Sequence, residues 1–153
     1  MCCLFGVYDY KGGLTSAQKR RLISALATAS EVRGTDATGI AYNSDGHLAV
    51  YKRPWPAHLM RFRLPENVGC VMGHTRMTTQ GDEKQNCNNH PFVGTAGIHF
   101  ALAHNGILYN DKELRQERKL PDTNIETDSY IAVQLLEQQG KLNFSTIRTA
   151  TEA

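Results

Sequence analysis

Residues 39–53, "GIAYNSDGHLAVYKR", decide the fold. Side-chain character alternates on both sides of "SDG", and Asp45-Gly46 suits the two central positions of a tight hairpin turn. Two antiparallel strands follow. A chain that doubles back by a hairpin, instead of crossing over through a helix, builds an antiparallel sheet. Working outward, residues 2–8 predict a short strand ending at "DYKGG". Thr15 with Gln18 three positions on forms a capping box, and Leu22, Ile23, Leu26 and Ala29 recur at helical spacing, which predicts a helix over 16–31. Toward the C-terminus, Pro56 opens a short helix that buries Leu59, Met60 and Phe62. "VGCVMGHT" (68–75) reads as a central strand, and "IHFALAH" (98–104) as another. Between them the polar, aperiodic stretch 77–97 is long enough to be a functional loop. Asp111 caps a short helix carrying Leu114. Thr127 or Asp128 caps the next, with Ile131, Leu135 and Leu136 inward and Gly140 as its stop, and "NFSTIRTATEA" begins a last one. The order of elements predicts an α+β protein with a mostly antiparallel sheet.

Composition narrows the function. With 153 residues and 41% hydrophobic content the chain can bury one core, so a single domain is expected. Its 17 basic and 15 acidic residues leave a net charge of only +2 and form no basic block, which argues against nucleic acid as a partner. No run approaches the roughly 20 apolar residues of a membrane span and no signal peptide is legible, so the reading is a cytoplasmic protein with no membrane partner. The four cysteines include no CxxC pair, so neither a disulfide framework nor a zinc site of Cys87 with His74, His90 or His104 is favoured. No metal and no cofactor are expected.

The chain begins "MCCLFG". Removal of Met1, which processing enzymes perform before small second residues, leaves Cys2 with a free α-amino group. A thiol is a good nucleophile, and an α-amine with a reference pKa of about 7.7–8.0 can accept or deliver a proton near neutral pH. One residue then holds nucleophile and base at a fixed separation. By itself the dipeptide is compatible with a small buried cysteine in a strand. The stretches that follow it change that reading: "RGTDATGIA", "GHTRMTTQG", "NNHPF" with "HNGILYN", and "ETDSY", in this order.

Together these motifs resemble the glutaminase domain of class II glutamine amidotransferases, which are N-terminal nucleophile hydrolases, and the resemblance runs from Cys2 to about Ile147. It implies two stacked antiparallel sheets flanked by helices. It also implies that an N-terminal cysteine attacks the side-chain amide of glutamine, releases ammonia, and leaves a glutamyl thioester that water hydrolyses to glutamate. Residue by residue, Cys2 is the nucleophile, and Asn105 with Gly106 forms the oxyanion hole. A side-chain amide and a backbone N–H aimed at one point suit that task. Arg76 matches the position that binds the α-carboxylate of glutamine, and Asp128 the one that holds its α-ammonium. Thr79 is expected to contact substrate. Arg33, Gly34 and Asp36 of the "RGxDxxG" turn, with Gly39, are expected to shape the pocket, the glycines through unusual φ and the charged pair by fixing loops. His74 is expected to be a structural histidine, and His90 a loop-ordering one.

The chain departs from the family pattern at Met77-Thr78-Thr79-Gln80, where Trp-Ala-Thr-His is frequent, and at Tyr130 and Cys3, where glutamate and glycine are common. The family's domain also continues through further strands, so the expected sandwich is incomplete at its C-terminal end: a glutaminase domain over residues 1–153, truncated, or completed by another chain. The expected function is hydrolysis of L-glutamine, with ammonia passed to an acceptor domain or synthase partner outside this sequence. A non-catalytic glutamine-sensing or assembly domain of the same fold is the alternative. Another amidase of this class is disfavoured, because Arg76 and Asp128 together suit a free amino acid.

Overall fold

The structure, a computed structural model, describes residues 2–153, so the expected removal of Met1 lies outside the described residues. Strands β1 (Cys3–Tyr8), β2 (Ala37–Ser44), β3 (His47–Arg53) and β4 (Cys70–Arg76) form an antiparallel sheet in the order β1-β4-β2-β3. The hairpin that opened the reading is there: β2 pairs with β3 in a register that ends at Ser44 opposite His47. Its turn holds Asp45 at φ 51° and Gly46 at φ 77°, both positive as the tight turn requires.

One face of this sheet carries helix α1 (Ser16–Ser30), started by the capping box of Thr15 and Gln18. Ile23 and Ala27 of α1 pack with Ile40, Val68 and Val71, and Phe5 and Val7 of β1 lie against the same cluster. The inward face of α1 differs from the expected one, because Leu22 and Leu26 are 42% and 38% exposed while Lys19 is buried. Lys19 crosses to the strand end, where Nζ donates to the Val68 carbonyl at 2.6 Å and lies 3.3 Å from Asp9 Oδ2. A lysine can be turned inward only when its ammonium is met in this way.

The other face of the sheet meets a second layer. Strands β5 (Phe92–Ala96) and β6 (Ile98–Leu102) form an antiparallel hairpin, backed by α3 (Tyr130–Gln138). Phe92, Ala96, Phe100, Val133 and Leu136 make the core between hairpin and helix. The order is thus helix, sheet, sheet, helix, with α2 (Asp111–Glu117) and α4 (Phe144–Thr151) beside α3. Strand β5 lies inside the stretch expected to be loop. After Pro56 the chain forms a 3-10 turn (Ala57–Leu59) in place of a helix, with Leu59 55% exposed and only Met60 and Phe62 buried. Helix α3 takes Ser129 as its N-cap residue, not Thr127 or Asp128, and α2 begins after Asn110.

Close packing fixes the sheet's centre. A Cβ on Gly73 would lie 2.3 Å from the Phe5 ring, so Gly73→Ala forces the ring aside. The expected loss is about 1–3 kcal/mol in chemical unfolding. An unchanged midpoint would show that the ring is not seated there. Among the described residues, no helix is long and apolar enough to cross a membrane.

Candidate functional site

Three segments converge where β1 begins and β4 ends. Cys3 pairs with Thr75, so Cys2 stands one residue beyond the last rung, beside Arg76 and the chain leaving it. The Cys2 thiol donates to the Met77 carbonyl at 3.5 Å, and the Cys2 carbonyl accepts from Arg33 Nε at 3.3 Å. Arg33 ends the 3-10 turn (Glu31–Arg33) that follows α1, so the helix delivers it to the backbone of Cys2. Gly34 has φ 173°, ordinary extended backbone, so the expected unusual φ is not its reason. Its reason is close approach: a Cβ there would lie 2.4 Å from the Arg76 carbonyl carbon and 2.5 Å from Met77 N. Gly39 is likewise required by contact, since its Cβ would meet the His90 carbonyl oxygen at 2.2 Å. Asp36 then clamps the same segment from both ends. Its N–H donates to the Arg76 carbonyl at 3.0 Å, and its Oδ2 accepts from Thr78 N at 2.6 Å.

Arg76 is only 3% exposed, and its guanidinium closes the loop that follows. One terminal nitrogen donates to Asn89 Oδ1 at 2.6 Å, the other to the Gly81 carbonyl at 3.2 Å and to the Gln80 carbonyl. Of the five N–H groups of a guanidinium, these bonds occupy three and leave two. Burial pulls the Arg76 pKa down, and the negative charges around it oppose that shift, Cys2 most strongly, then Glu83, Asp36 and Asp128.

The second wall is the loop carrying Asn105 and Gly106. Both residues are exposed, as is Thr79. The loop is strapped on each side of them. His104 Nδ1 lies 3.0 Å from Ser129 Oγ, and Leu108 N donates to Asp128 Oδ2 at 2.6 Å. Gly106 is forced by the His104 ring, since a Cβ would come within 2.5 Å of Nε2. Asp128 thus does not cap α3: its carboxylate holds the Asn105 loop, and Ser129 Oγ donates to its other oxygen at 3.3 Å. The loop also reaches β4, because the His104 backbone lies against the His74 ring.

Under this site the imidazoles of His74 and His90 stack at 4.2 Å, His90 lies 4.4 Å from Phe92, and Phe92 meets Tyr130 edge-on at 5.4 Å. A column of rings thereby joins the two sheets and α3. Burial lowers the pKa of His74 to about 4 and that of His90 to about 2 from the ordinary 6.5. Both are neutral in the folded protein, so neither is poised as a base at neutral pH. Because the folded values lie below the unfolded one, the stability they contribute is complete above about pH 6.5. It is lost as pH falls through the window toward 4, where only the unfolded chain takes up protons. Urea unfolding is expected to give a stability lower by about 3 kcal/mol at pH 5 than at pH 7. Equal values at the two pH values would contradict neutral burial. Among the described residues, no group of three His, Cys, Asp or Glu side chains is arranged to hold a metal ion.

The sequence reading missed four participants. Asn89 was visible in "NNHPF", but nothing in the motif says that its side chain meets Arg76. Ser129 and the Leu108 N–H complete the strap on Asp128. Thr78 is held by its N–H on Asp36, with its hydroxyl buried without a partner among the described residues, while Thr79, expected to contact substrate, is exposed beside it.

The chain is similar to curated proteins described as glutamine–fructose-6-phosphate aminotransferase (isomerizing). It is 38% identical over 113 residues to that of Bacillus thuringiensis, which covers 71% of this chain and 18% of the relative. To that of Bacillus subtilis it is 34% identical over 137 residues, 87% of this chain and 22% of the relative. To that of Corynebacterium efficiens it is 32% identical over 143 residues, 89% of this chain and 22% of the relative. The chain thus spans about a fifth of the length of these relatives. Among solved structures, it superposes on glutamine phosphoribosylpyrophosphate amidotransferase of B. subtilis with a TM-score of 0.71 at 19% identity, covering 99% of this chain and 32% of that one. No family model matches the chain.

Proposed function

The chain belongs to the class II glutamine amidotransferases, as a domain of their N-terminal nucleophile fold, and from that premise we propose that residues 2–153 form one glutaminase unit that hydrolyses L-glutamine. The observation that supports this most is the place of Cys2, one residue beyond the last β1–β4 rung and beside the buried Arg76, with its thiol on the Met77 carbonyl. An amino-acid amide needs a nucleophile, a cation for its carboxylate and an anion for its ammonium within one site. Cys2, Arg76 and Asp128 supply these three.

In the proposed reaction the α-amine of Cys2 takes the thiol proton and Sγ attacks the side-chain amide carbon of glutamine. The amide oxygen becomes an oxyanion, met by the Asn105 side-chain amide and the Gly106 N–H. The C–N bond then breaks, the α-ammonium hands its proton to the leaving nitrogen, and ammonia departs from a glutamyl thioester. Water adds to that thioester by the reverse proton path, the C–S bond breaks, and glutamate leaves with the thiol restored. Arg33 and Asp36 act by position, holding the Cys2 backbone and the Arg76–Thr78 segment. The ammonia acceptor belongs to polypeptide outside residues 1–153, as a further domain or a synthase partner.

The test begins with the intact mass of the purified chain, expected to be short by one methionine, followed by glutamate release from glutamine. A retained Met1 removes the α-amine from the mechanism. Tight glutamine binding with no glutamate formed, in a chain whose methionine is gone, would replace hydrolysis by the sensing alternative.

A further inference from the structure

On the outer side of the molecule, away from the inter-sheet site, a groove of about 780 Å³ runs between the first half of α1 and residues 60–63. Arg20 and Arg21 line it from the helix, with Ser24 one turn further on, and Arg61 and Arg63 line it from the opposite bank. The core sets this arrangement. Met60, Phe62 and Leu64 are 6%, 7% and 6% exposed, so alternation along the extended chain turns both arginines of that bank outward on one side.

No carboxylate lines the groove, and among the described residues none of the four guanidinium groups has a hydrogen bond or ion pair. In a chain whose net charge is only +2, four unneutralised positive charges share one concave surface. Such a cluster repels itself unless an anion is bound, and it attracts anions from solution. All four residues are arginine, whose planar fork donates two parallel hydrogen bonds to a phosphate where lysine offers only a point charge. Arg61 and Arg63 also line an adjoining cavity of about 380 Å³ together with Tyr42 and Tyr51. The ring of Tyr51 stands edge-on to Phe62 at 6.5 Å. The Arg53 guanidinium lies over the Tyr51 ring, 4.9 Å from its centroid, so forks and rings border the same three-residue bank with one face of Tyr51 already taken.

We propose that this groove is a binding site for an oligophosphate, gripped between Arg20–Arg21 and Arg61–Arg63, with room beside Tyr42 and Tyr51 for an attached planar ring. Two or three linked phosphates match the charge of four guanidinium groups better than a single phosphate does.

Isothermal titration of the full chain with sodium tripolyphosphate at 0.15 M salt tests this. One site is expected, at least ten-fold tighter than for orthophosphate. Arg61→Ala and Arg63→Ala are each expected to weaken it at least ten-fold. Arg61→Lys should weaken it at least three-fold, because charge remains while the fork is lost. Arg118→Ala, just past the end of α2, should leave it unchanged. The substituted side chains are exposed, and unchanged thermal midpoints verify folding. Magnesium-free adenosine triphosphate should bind at least as tightly as tripolyphosphate, and any excess affinity should fall in Tyr51→Leu. Undetectable tripolyphosphate binding, a neutral Arg61→Lys, or an equal loss in Arg118→Ala would overturn the site. A single-stranded oligonucleotide that binds more tightly than tripolyphosphate would also overturn it, in favour of a nucleic-acid surface.

Discussion

Cys2→Ala is expected to lower glutamate release by about 10⁴-fold or more, to the level of uncatalysed hydrolysis plus whatever the empty oxyanion site supplies. The magnitude follows from the roles assigned to one residue. The sulfur forms the covalent bond, and no other side chain around it can replace it: His74 and His90 are buried, neutral and stacked on one another. Cys3 also fails as a substitute, because it lacks the terminal amine and alternation along β1 turns it to the opposite face. Structure should survive the change. Cys2 stands outside the paired strand, and alanine retains its carbonyl held by Arg33 and loses only the long thiol contact to the Met77 carbonyl. Glutamine should therefore still bind to Cys2→Ala within a few-fold of wild type in titration calorimetry. Activity persisting above a hundredth of wild type would move the nucleophile elsewhere.

The second large effect is expected at Asn105→Ala. One donor of an oxyanion pair contributes about 2.7–4 kcal/mol to the transition state, so kcat should fall by about 10²- to 10³-fold while KM changes little. That split distinguishes stabilisation of the intermediate from a binding role. Because Asn105 is exposed and its loop is strapped by His104–Ser129 and Leu108–Asp128, truncating its side chain leaves the loop's anchors in place. Asp128→Asn bears on the same loop differently. It removes the negative charge that faces the substrate ammonium and weakens the strap, so KM should rise and kcat fall together. A loss confined to KM in Asn105→Ala would take that residue out of the oxyanion hole.

How much of this was legible in the sequence varies element by element. The β2–β3 hairpin was readable because Asp45 and Gly46 carry a local conformational demand that few residues meet, and the start of α1 because Thr15 and Gln18 satisfy its first N–H groups between themselves. The inward face of α1 was not, since spacing cannot reveal that Lys19 finds the Val68 carbonyl and Asp9 across the fold while Leu22 and Leu26 stay outside. Strand β5 was hidden by composition. "FVGTA" places exposed Val93 and Thr95 beside a glycine, and Gly94 is there because a Cβ would lie 2.4 Å from the Phe100 ring.

At the site, the residue types came from the ordered motifs, yet their partners did not. That Arg76 spends three bonds on Asn89 and the loop carbonyls, and that Asp128 holds Leu108, depends on how loops far apart in the chain close on each other. Periodicity carries no record of such closure. The structure brings the "RGxDxxG" turn beside Cys2, and Gly34 has a different reason than expected: it gives the backbone room to touch Arg76 and Met77.

The central claim is that the thiol of Cys2 attacks a glutamine-like carbonyl held by this site. Incubating the purified chain with a diazo ketone analogue of glutamine, and mapping the adduct by peptide mass spectrometry, tests it most directly. One adduct per chain on the sulfur of Cys2 is expected, slowed by excess glutamine and absent in Cys2→Ala. Labelling spread over Cys3, Cys70 and Cys87 at similar rates, or labelling of Cys2 that glutamine does not slow, would contradict it.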